Sequence, residues 1–135
     1  MSFTDAIKSV LVDNYFEFEG RASRSEFNYW WLFECLIGIS FGIITTLLAI
    51  NANNLIIELN LVSWLQRIQI LLIVLFFVPR IAVTVRRLHD INKSFWWIFM
   101  FVPGFYLIIP LFIFIYWVMF KESDYGPNNY GHPVN

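Results

Sequence analysis

Three long runs of apolar residues dominate the chain, and short polar segments separate them. The runs cover residues 27–50, 68–85 and 95–120, and each holds at most one charged side chain. A helix needs about 20 apolar residues to cross the hydrocarbon core of a bilayer. The pattern therefore predicts an all-α integral membrane protein with three transmembrane helices.

The third run has two interpretations. As one straight helix, residues 95–120 would extend about 39 Å at 1.5 Å per residue, whereas the hydrocarbon core is about 30 Å thick. Pro103-Gly104 and Pro110 interrupt the run, and a proline inside a helix removes a backbone bond and kinks the axis. We favour a single kinked span over the alternative, a re-entrant hairpin that turns at Pro103-Gly104.

The segments outside these runs complete a single domain of residues 1–135. Residues 1–26 form a cytoplasmic segment, and its apolar positions have helical spacing on one face: Phe3, Ile7, Val10 and Leu11, with Asn14. This spacing predicts an amphipathic helix, either in the headgroup region or packed on the cytoplasmic ends of the spans. We expect a solvated loop over the asparagine-rich residues 51–60 and a polar tail over residues 121–135.

Lysine and arginine positions predict the orientation, because cytoplasmic loops carry an excess of them. The side with the N-terminus and the second loop has six: Lys8, Arg21, Arg24, Arg86, Arg87 and Lys93. The opposite side has Arg67, plus Lys121 if the third run crosses. We therefore expect a plasma-membrane protein whose N-terminus lies in the cytoplasm.

Composition supports the membrane class and excludes others. Hydrophobic residues make up 59% and charged residues 14% of the chain, against about 45–50% and about 25% in soluble domains. A net charge of −1 does not provide the basic face that nucleic-acid binding requires. We expect no cofactor and no metal site, since His89 and His132 are the only histidines.

Two charged residues fall inside the first two runs. Glu34 lies about 10 Å beyond the start of the first run, and Arg80 lies about 9 Å before Arg86, by helical rise. Charges inside a span are costly and usually face a partner, a cavity or a pathway. The matching depths predict a buried ion pair between Glu34 and Arg80, and an ion or proton pathway is the alternative.

The predicted topology brings several polar residues together, because two antiparallel spans joined on the far side have their other ends close to each other at the cytoplasmic side. We expect one polar network in which Asp90 or Glu26 accepts from an arginine, while the other arginines face lipid phosphates or a partner. His89 and Asp90 could act as acid and base, yet no nucleophile motif accompanies them. The candidate residues are Arg21, Arg24, Glu26, Arg86, Arg87, His89 and Asp90.

Three motifs resemble the bacterial inner-membrane family called domain of unknown function 805. Residues 20–27, Gly-Arg-Ala-Ser-Arg-Ser-Glu-Phe, followed by Trp30-Trp31, resemble its opening. Residues 86–90, Arg-Arg-Leu-His-Asp, with Ser94 and Trp96-Trp97, resemble its central signature. Residues 126–131, with Pro133, are similar to its closing motif. The resemblance implies a bacterial plasma-membrane protein and brings no reaction, substrate or cofactor.

The chain departs from that family at several positions. Asn92 stands where glycine is common, and Phe95 stands where glycine usually precedes the two tryptophans. Glu34 and Arg80 fall where most members are not expected to be charged. The predicted intramembrane pair is therefore a feature of this protein and not of the family.

Three functions are compatible with these residues. The preferred hypothesis is a small non-enzymatic accessory or scaffold protein. It would bind anionic lipid headgroups, a larger membrane protein or a second copy of itself. The first alternative is an oligomeric transporter or a channel component for ions or protons that uses Glu34 and Arg80. The second is a membrane enzyme at the cytoplasmic face that uses His89 and Asp90.

Overall fold

The computed structural model describes residues 1–50, 55–100 and 108–133, and these residues form helices without a β-strand. A short 3₁₀ segment covers Phe95–Met100. Wider π-helical turns at Ser9–Asp13 and Tyr116–Phe120 continue the first and the last helix. The four α-helices are α1 (Phe3–Lys8), α2 (Arg24–Ile50), α3 (Leu55–Asp90) and α4 (Ile108–Ile115).

Helices α2 and α3 correspond to the first two apolar runs, and both are long and apolar enough to cross a membrane. Their apolar side chains point outward: Ile39, Ile43 and Leu47 of α2 are each more than half exposed. An exposed apolar surface of this extent is unfavourable in water and favourable against lipid. The prediction of an all-helical protein is confirmed for the described residues, and two of the three predicted spans are long apolar helices.

The predicted loop over residues 51–60 is wrong from residue 55 onward, because α3 already begins at Leu55. Residues 51–54 lie outside the described residues. Leucine and isoleucine dominate positions 55–61, and one asparagine in a helix costs only a fraction of 1 kcal/mol relative to alanine. With 36 residues, α3 extends about 54 Å and exceeds the apolar run at both ends.

Helix α3 ends in a Schellman motif built on Asn92. The amide of Lys93 donates to the carbonyl of Leu88 at 2.8 Å, and the amide of Asn92 donates to the carbonyl of His89 at 3.0 Å. These two bonds define the motif, and the first residue after the helix cap, here Asn92, takes a left-handed conformation. Asn92 has φ +54°, which asparagine tolerates better than most residues. Asparagine can therefore replace the glycine that the family resemblance led us to expect.

The two ends of the third apolar run lie side by side, so the favoured interpretation of a single kinked span is wrong. The ring centroids of Trp97 and Trp117 are 5.1 Å apart, and the Lys93 ammonium lies 5.0 Å and 4.9 Å from them. A helical crossing would separate these ends by about 30 Å or more. The contact agrees with a hairpin, although its predicted turn at Pro103-Gly104 lies outside the described residues.

Helix α1 packs on the start of α2. Ser2 caps it with a capping box, and these bonds lower the pKa of the Asp5 carboxyl. Ala6 and Val10 are fully buried, and the Phe3 ring meets the Tyr29 ring edge-on at 5.9 Å. Packing on a helix end, the second of the two placements predicted for this segment, therefore accounts for its buried face.

The contacts divide the chain into two compact units. One contains Met1–Trp30 together with Val78–Asn135, and the other contains Trp31–Phe77. The candidate cytoplasmic residues all belong to the first unit. Glu34 lies in the second unit and Arg80 in the first, and their pairing stays a prediction.

Candidate functional site

Three segments that are distant in the sequence meet at the end of α3. The amide of Ala22 donates to the carbonyl of Arg86 at 3.0 Å, and the amide of Asp124 donates to the carbonyl of Asp90 at 3.1 Å. Helix α3 thus holds the segment before α2 on one side and the polar tail on the other. We call the side chains that join them the Asp90 network: Arg21, Arg87, His89 and Asp90.

Asp90 is the shared acceptor of two arginines. Its Oδ1 accepts from Arg21 Nε at 2.8 Å, and its Oδ2 accepts from Arg87 Nη1. Side-chain exposure is 0% for both arginines and 1% for Asp90. Buried charge-assisted bonds of this kind are among the strongest in proteins. A carboxylate with a cation on each oxygen has its negative charge fully compensated.

Arg21 also holds the polar tail through main-chain carbonyls. Its Nη1 donates to Gly126 O at 2.8 Å and to Gly131 O at 3.3 Å, and its Nη2 donates to Asp124 O at 2.7 Å and to Asp90 O at 3.3 Å. The planar guanidinium offers five donors in a fixed arrangement. One side chain therefore fixes the path of residues 124–131.

Arg87 connects the same carboxylate to the end of the third apolar run. Its Nε donates to Val118 O at 3.0 Å, and its Nη2 donates to Lys121 O. These carbonyls belong to the last turn after α4, where a helix leaves its final carbonyls without internal partners. Arg87 therefore caps this turn and holds it beside α3.

His89 connects the segment before α2 to the closing motif. Its Nδ1 donates to the carbonyl of Gly20 at 3.2 Å, since a carbonyl can only accept. The imidazole stacks on the Tyr130 ring at 3.8 Å with an interplanar angle of 4°, and Asn128 Nδ2 donates to His89 O at 2.9 Å. Gly20 has φ +76°, a conformation that glycine adopts without strain.

Glu26 and Arg86 form a second buried pair beside α1. Arg86 Nη2 lies 3.1 Å from Glu26 Oε1, and Ser9 Oγ donates to the same oxygen at 3.0 Å. The arginine is not aligned for a directed bond: its Nε and Nη2 have no acceptor among the described residues. Ser23 Oγ accepts from the amide of Glu26 at 3.2 Å and caps α2, while the Glu26 carboxylate contacts Arg86 and Ser9.

Six of the seven candidate residues are buried, and only Arg24 is exposed. The expectation that most arginines face lipid phosphates is therefore wrong. Arg21 and Arg87 have fully buried side chains, and Arg86 retains 4% exposure. These arginines are buried because carboxylates and carbonyls inside the protein accept hydrogen bonds from their N–H groups. Arg24 Nη1 donates to Phe120 O at 3.2 Å and otherwise faces outward.

Sequence reasoning missed the partners that the polar tail, the end of the third apolar run and Ser9 supply. Most act through main-chain carbonyls, which every residue carries and which leave no signature in the sequence. The closing motif, noted only as part of the family resemblance, was the available signal. The missed residues are Ser9, Val118, Lys121, Asp124, Gly126, Asn128, Tyr130 and Gly131.

The hydrogen-bond donors of the Asp90 network point into the protein, where they hold segments that are distant in the sequence. In the described parts of the chain, no three histidine, cysteine, aspartate or glutamate side chains come together as a metal site would require. Both oxygens of Asp90 and the Nδ1 atom of His89 have protein partners. Through these contacts, the groups join residues 20–26, 86–90 and 118–131.

Comparison with known proteins identifies close relatives. The family model for the "protein of unknown function (DUF805)" matches residues 15–132. Inner membrane protein YhaI of Escherichia coli K12 is 31% identical over 122 residues, which cover 90% of this chain and 89% of that protein. Inner membrane protein YhaH of the same strain is 32% identical over 109 residues, covering 76% and 78%. No solved structure matches the chain.

Proposed function

We propose, from the fact that this chain belongs to the DUF805 family, that it is a bacterial inner-membrane accessory or scaffold protein. It would be non-enzymatic and would contact a larger membrane partner or a second copy through its outward apolar face. The observation that carries this proposal is the Asp90 network, whose charged groups are used inside the protein. Much of the exposed surface is apolar and aromatic, and Trp31, Ile43 and Trp96 belong to it.

The same network supports a specific topology. Arg21 lies before α2, Asp90 ends α3, and Gly126 follows the third run, and all three are hydrogen-bonded together. We propose that α2 and α3 span the membrane and that residues 95–120 enter and leave on the same side. Lys121 then joins the side rich in lysine and arginine, and Arg67 alone marks the other side, which favours a cytoplasmic N-terminus and tail.

Reporter fusions test the topology. A fluorescent protein that matures only in the cytoplasm, fused after the tail, should be bright, and alkaline phosphatase at the same position should be inactive. A control fusion that truncates the chain after residue 52 should give the opposite result, because one span precedes it. A periplasmic signal from the tail fusion would overturn the hairpin topology.

Site-specific photo-cross-linking tests the accessory role. A photoreactive residue replaces Ile43 or Trp96, which are exposed, and the matched control replaces exposed Asp13 on the cytoplasmic segment. We expect one discrete, stoichiometric adduct, to another membrane protein or to a second copy, from the apolar positions only. A monomer that forms no protein adduct in native membranes would contradict the proposal.

His89 separates the accessory role from the enzymatic alternative. If His89 only positions Gly20 and Tyr130, a His89→Gln variant that can still donate one hydrogen bond should keep most of the cross-linked product. His89→Ala, which removes the donor and the stacked ring, should mainly lower the stability of the folded protein. Stable His89→Ala protein that loses a cellular phenotype completely would instead favour acid–base chemistry.

A further inference from the structure

An open groove lies beside the first residue of α2. It has a volume of about 520 Å³, and the carbonyls of its Lys121 and Asp124 accept hydrogen bonds from Arg87 and Arg21 of the Asp90 network. The groove runs between α2 and the end of the third apolar run, and both belong to the same compact unit. Its lining includes the charged and aromatic residues Arg24, Tyr116, Lys121, Glu122, Asp124 and Tyr125.

The groove carries equal numbers of positive and negative side chains. Arg24 uses one N–H for Phe120 O, and the described residues offer its other donors no acceptor. Glu122 Oε2 accepts from the Tyr125 hydroxyl at 3.3 Å. Two cations and two carboxylates in one groove do not fit a purely anionic ligand, whereas they match a ligand that carries both charges.

The position of the groove indicates lipid as the source of that ligand. Arg24 lies three residues before the apolar run, about 4.5 Å along the helix axis, which is the depth of phospholipid headgroups. Tyr116 and Phe120 are 57% and 62% exposed and continue the apolar surface to the groove. Tyr125, at 94% exposure, offers an aromatic face to which an ammonium group is attracted.

We propose that this groove binds the headgroup of a zwitterionic aminophospholipid. Arg24, with a planar donor pair suited to phosphate oxygens, and Lys121 contact the phosphodiester. Glu122, Asp124 and the Tyr125 ring contact the primary amine. The proposal rests on the membrane topology proposed above, which places the groove at the cytoplasmic headgroup level.

Lipid titration of the full-length protein in a nonionic detergent tests the site. Dihexanoyl phosphatidylethanolamine and dihexanoyl phosphatidylglycerol are added separately, and thermal unfolding and native mass spectrometry report binding. A ligand that binds only the folded state raises the free energy of unfolding by RT ln(1 + L/Kd), where L is the free ligand concentration, and therefore raises Tm. We expect phosphatidylethanolamine to bind at least about tenfold more tightly, and the R24Q/K121Q double variant to lose about tenfold or more of that affinity.

Matched variants separate the site from general charge effects. K8Q removes an exposed lysine outside the groove and should bind like the parent protein, whereas E122Q should lose the preference for phosphatidylethanolamine over phosphatidylglycerol. Equal binding by the parent and R24Q/K121Q would overturn the site. Tighter binding of phosphatidylglycerol that depends on Arg24 would overturn the zwitterionic ligand.

A second measurement does not depend on the folding of those variants. A photoreactive residue in place of Tyr125 should cross-link phosphatidylethanolamine in native membranes, whereas one in place of exposed Asp13 should not. Absence of a lipid adduct at position 125 would overturn the proposal. If position 125 gives no lipid adduct while position 43 still cross-links a protein partner, the lipid site is wrong and the accessory role is still supported. The failure of one proposal can therefore be told from the failure of the other.

Discussion

Asp90 shows how one side chain can determine the stability of the region where residues 20–26, the end of α3 and the polar tail meet. Asp90→Asn removes the charge that compensates Arg21 and Arg87, both fully buried. Breaking a buried pair by removing one partner costs about 3–5 kcal/mol, and we expect a loss of that order in the free energy of unfolding. Arg87→Lys keeps the charge and should cost less, while exposed Asp13→Asn should stay within about 0.5 kcal/mol.

Equilibrium unfolding of the purified variants in mixed micelles measures these differences. The order Asp90→Asn, then Arg87→Lys, then Asp13→Asn, from most to least destabilised, is the expected result. Equal stability of Asp90→Asn and the parent protein would mean that the carboxylate does not hold the two arginines.

Asn92 gives a prediction at the end of α3. Because its φ is +54°, a β-branched residue there should destabilise the protein by about 1–2 kcal/mol, whereas Asn92→Gly should be neutral or slightly stabilising. Thermal unfolding of Asn92→Val and Asn92→Gly provides the comparison. A Val variant as stable as the Gly variant would contradict the left-handed conformation.

Among the helices, the third apolar run has the most informative geometry. Because the Trp97 and Trp117 rings are 5.1 Å apart, cysteines at these two positions should be joined by a short bifunctional thiol reagent. The native Cys35 is first replaced by alanine. We expect rapid intramolecular cross-linking, detected as an electrophoretic shift after cleavage between the two sites.

The matched control moves only one cysteine. Trp96 is 73% exposed, and among the described residues its ring contacts Phe95 and Phe99 but not Trp117. The pair of cysteines at positions 96 and 117 should therefore react more slowly. Equal rates for both pairs, or no product from either, would contradict the side-by-side ends.

Local sequence patterns predicted the helices and the meeting of residues 21–26 with residues 86–90, but not the contacts that the polar tail makes with them. The apolar runs identified α2 and α3. The start of α3 at Leu55 was missed because the asparagines around residues 51–54 suggested a loop. The hairpin remained only the alternative interpretation of residues 95–120, because Arg87 contacts carbonyls of Val118 and Lys121 and nothing in the sequence marks a carbonyl as a partner.

For the whole molecule, Arg21 determines whether the polar tail stays in place. Its donors bond the carbonyls of Asp124, Gly126 and Gly131, and hydrogen bonds to charged groups contribute about 1.5–3 kcal/mol each. Arg21→Met should therefore expose the tail and accelerate tryptic cleavage after Lys121 by about tenfold or more.

Limited trypsinolysis of inverted membrane vesicles, followed by mass spectrometry, measures the cleavage rate. Lys8→Gln, which alters an exposed lysine of α1, is the control and should leave the rate unchanged. A tail that stays equally resistant in Arg21→Met would show that other contacts suffice to hold it.

The long sequence separation of these contacts has a consequence for biosynthesis. Arg21 and Gly131 are 110 residues apart, and at roughly 5–20 residues per second the ribosome needs about 5–20 s between them. On the proposed topology, α2 and α3 can enter the membrane during that interval, while Arg21 still lacks its acceptors in the polar tail. The end that carries the Asp90 network therefore closes late, and a chain whose translation stops near Lys121 would have both helices inserted before that end is complete.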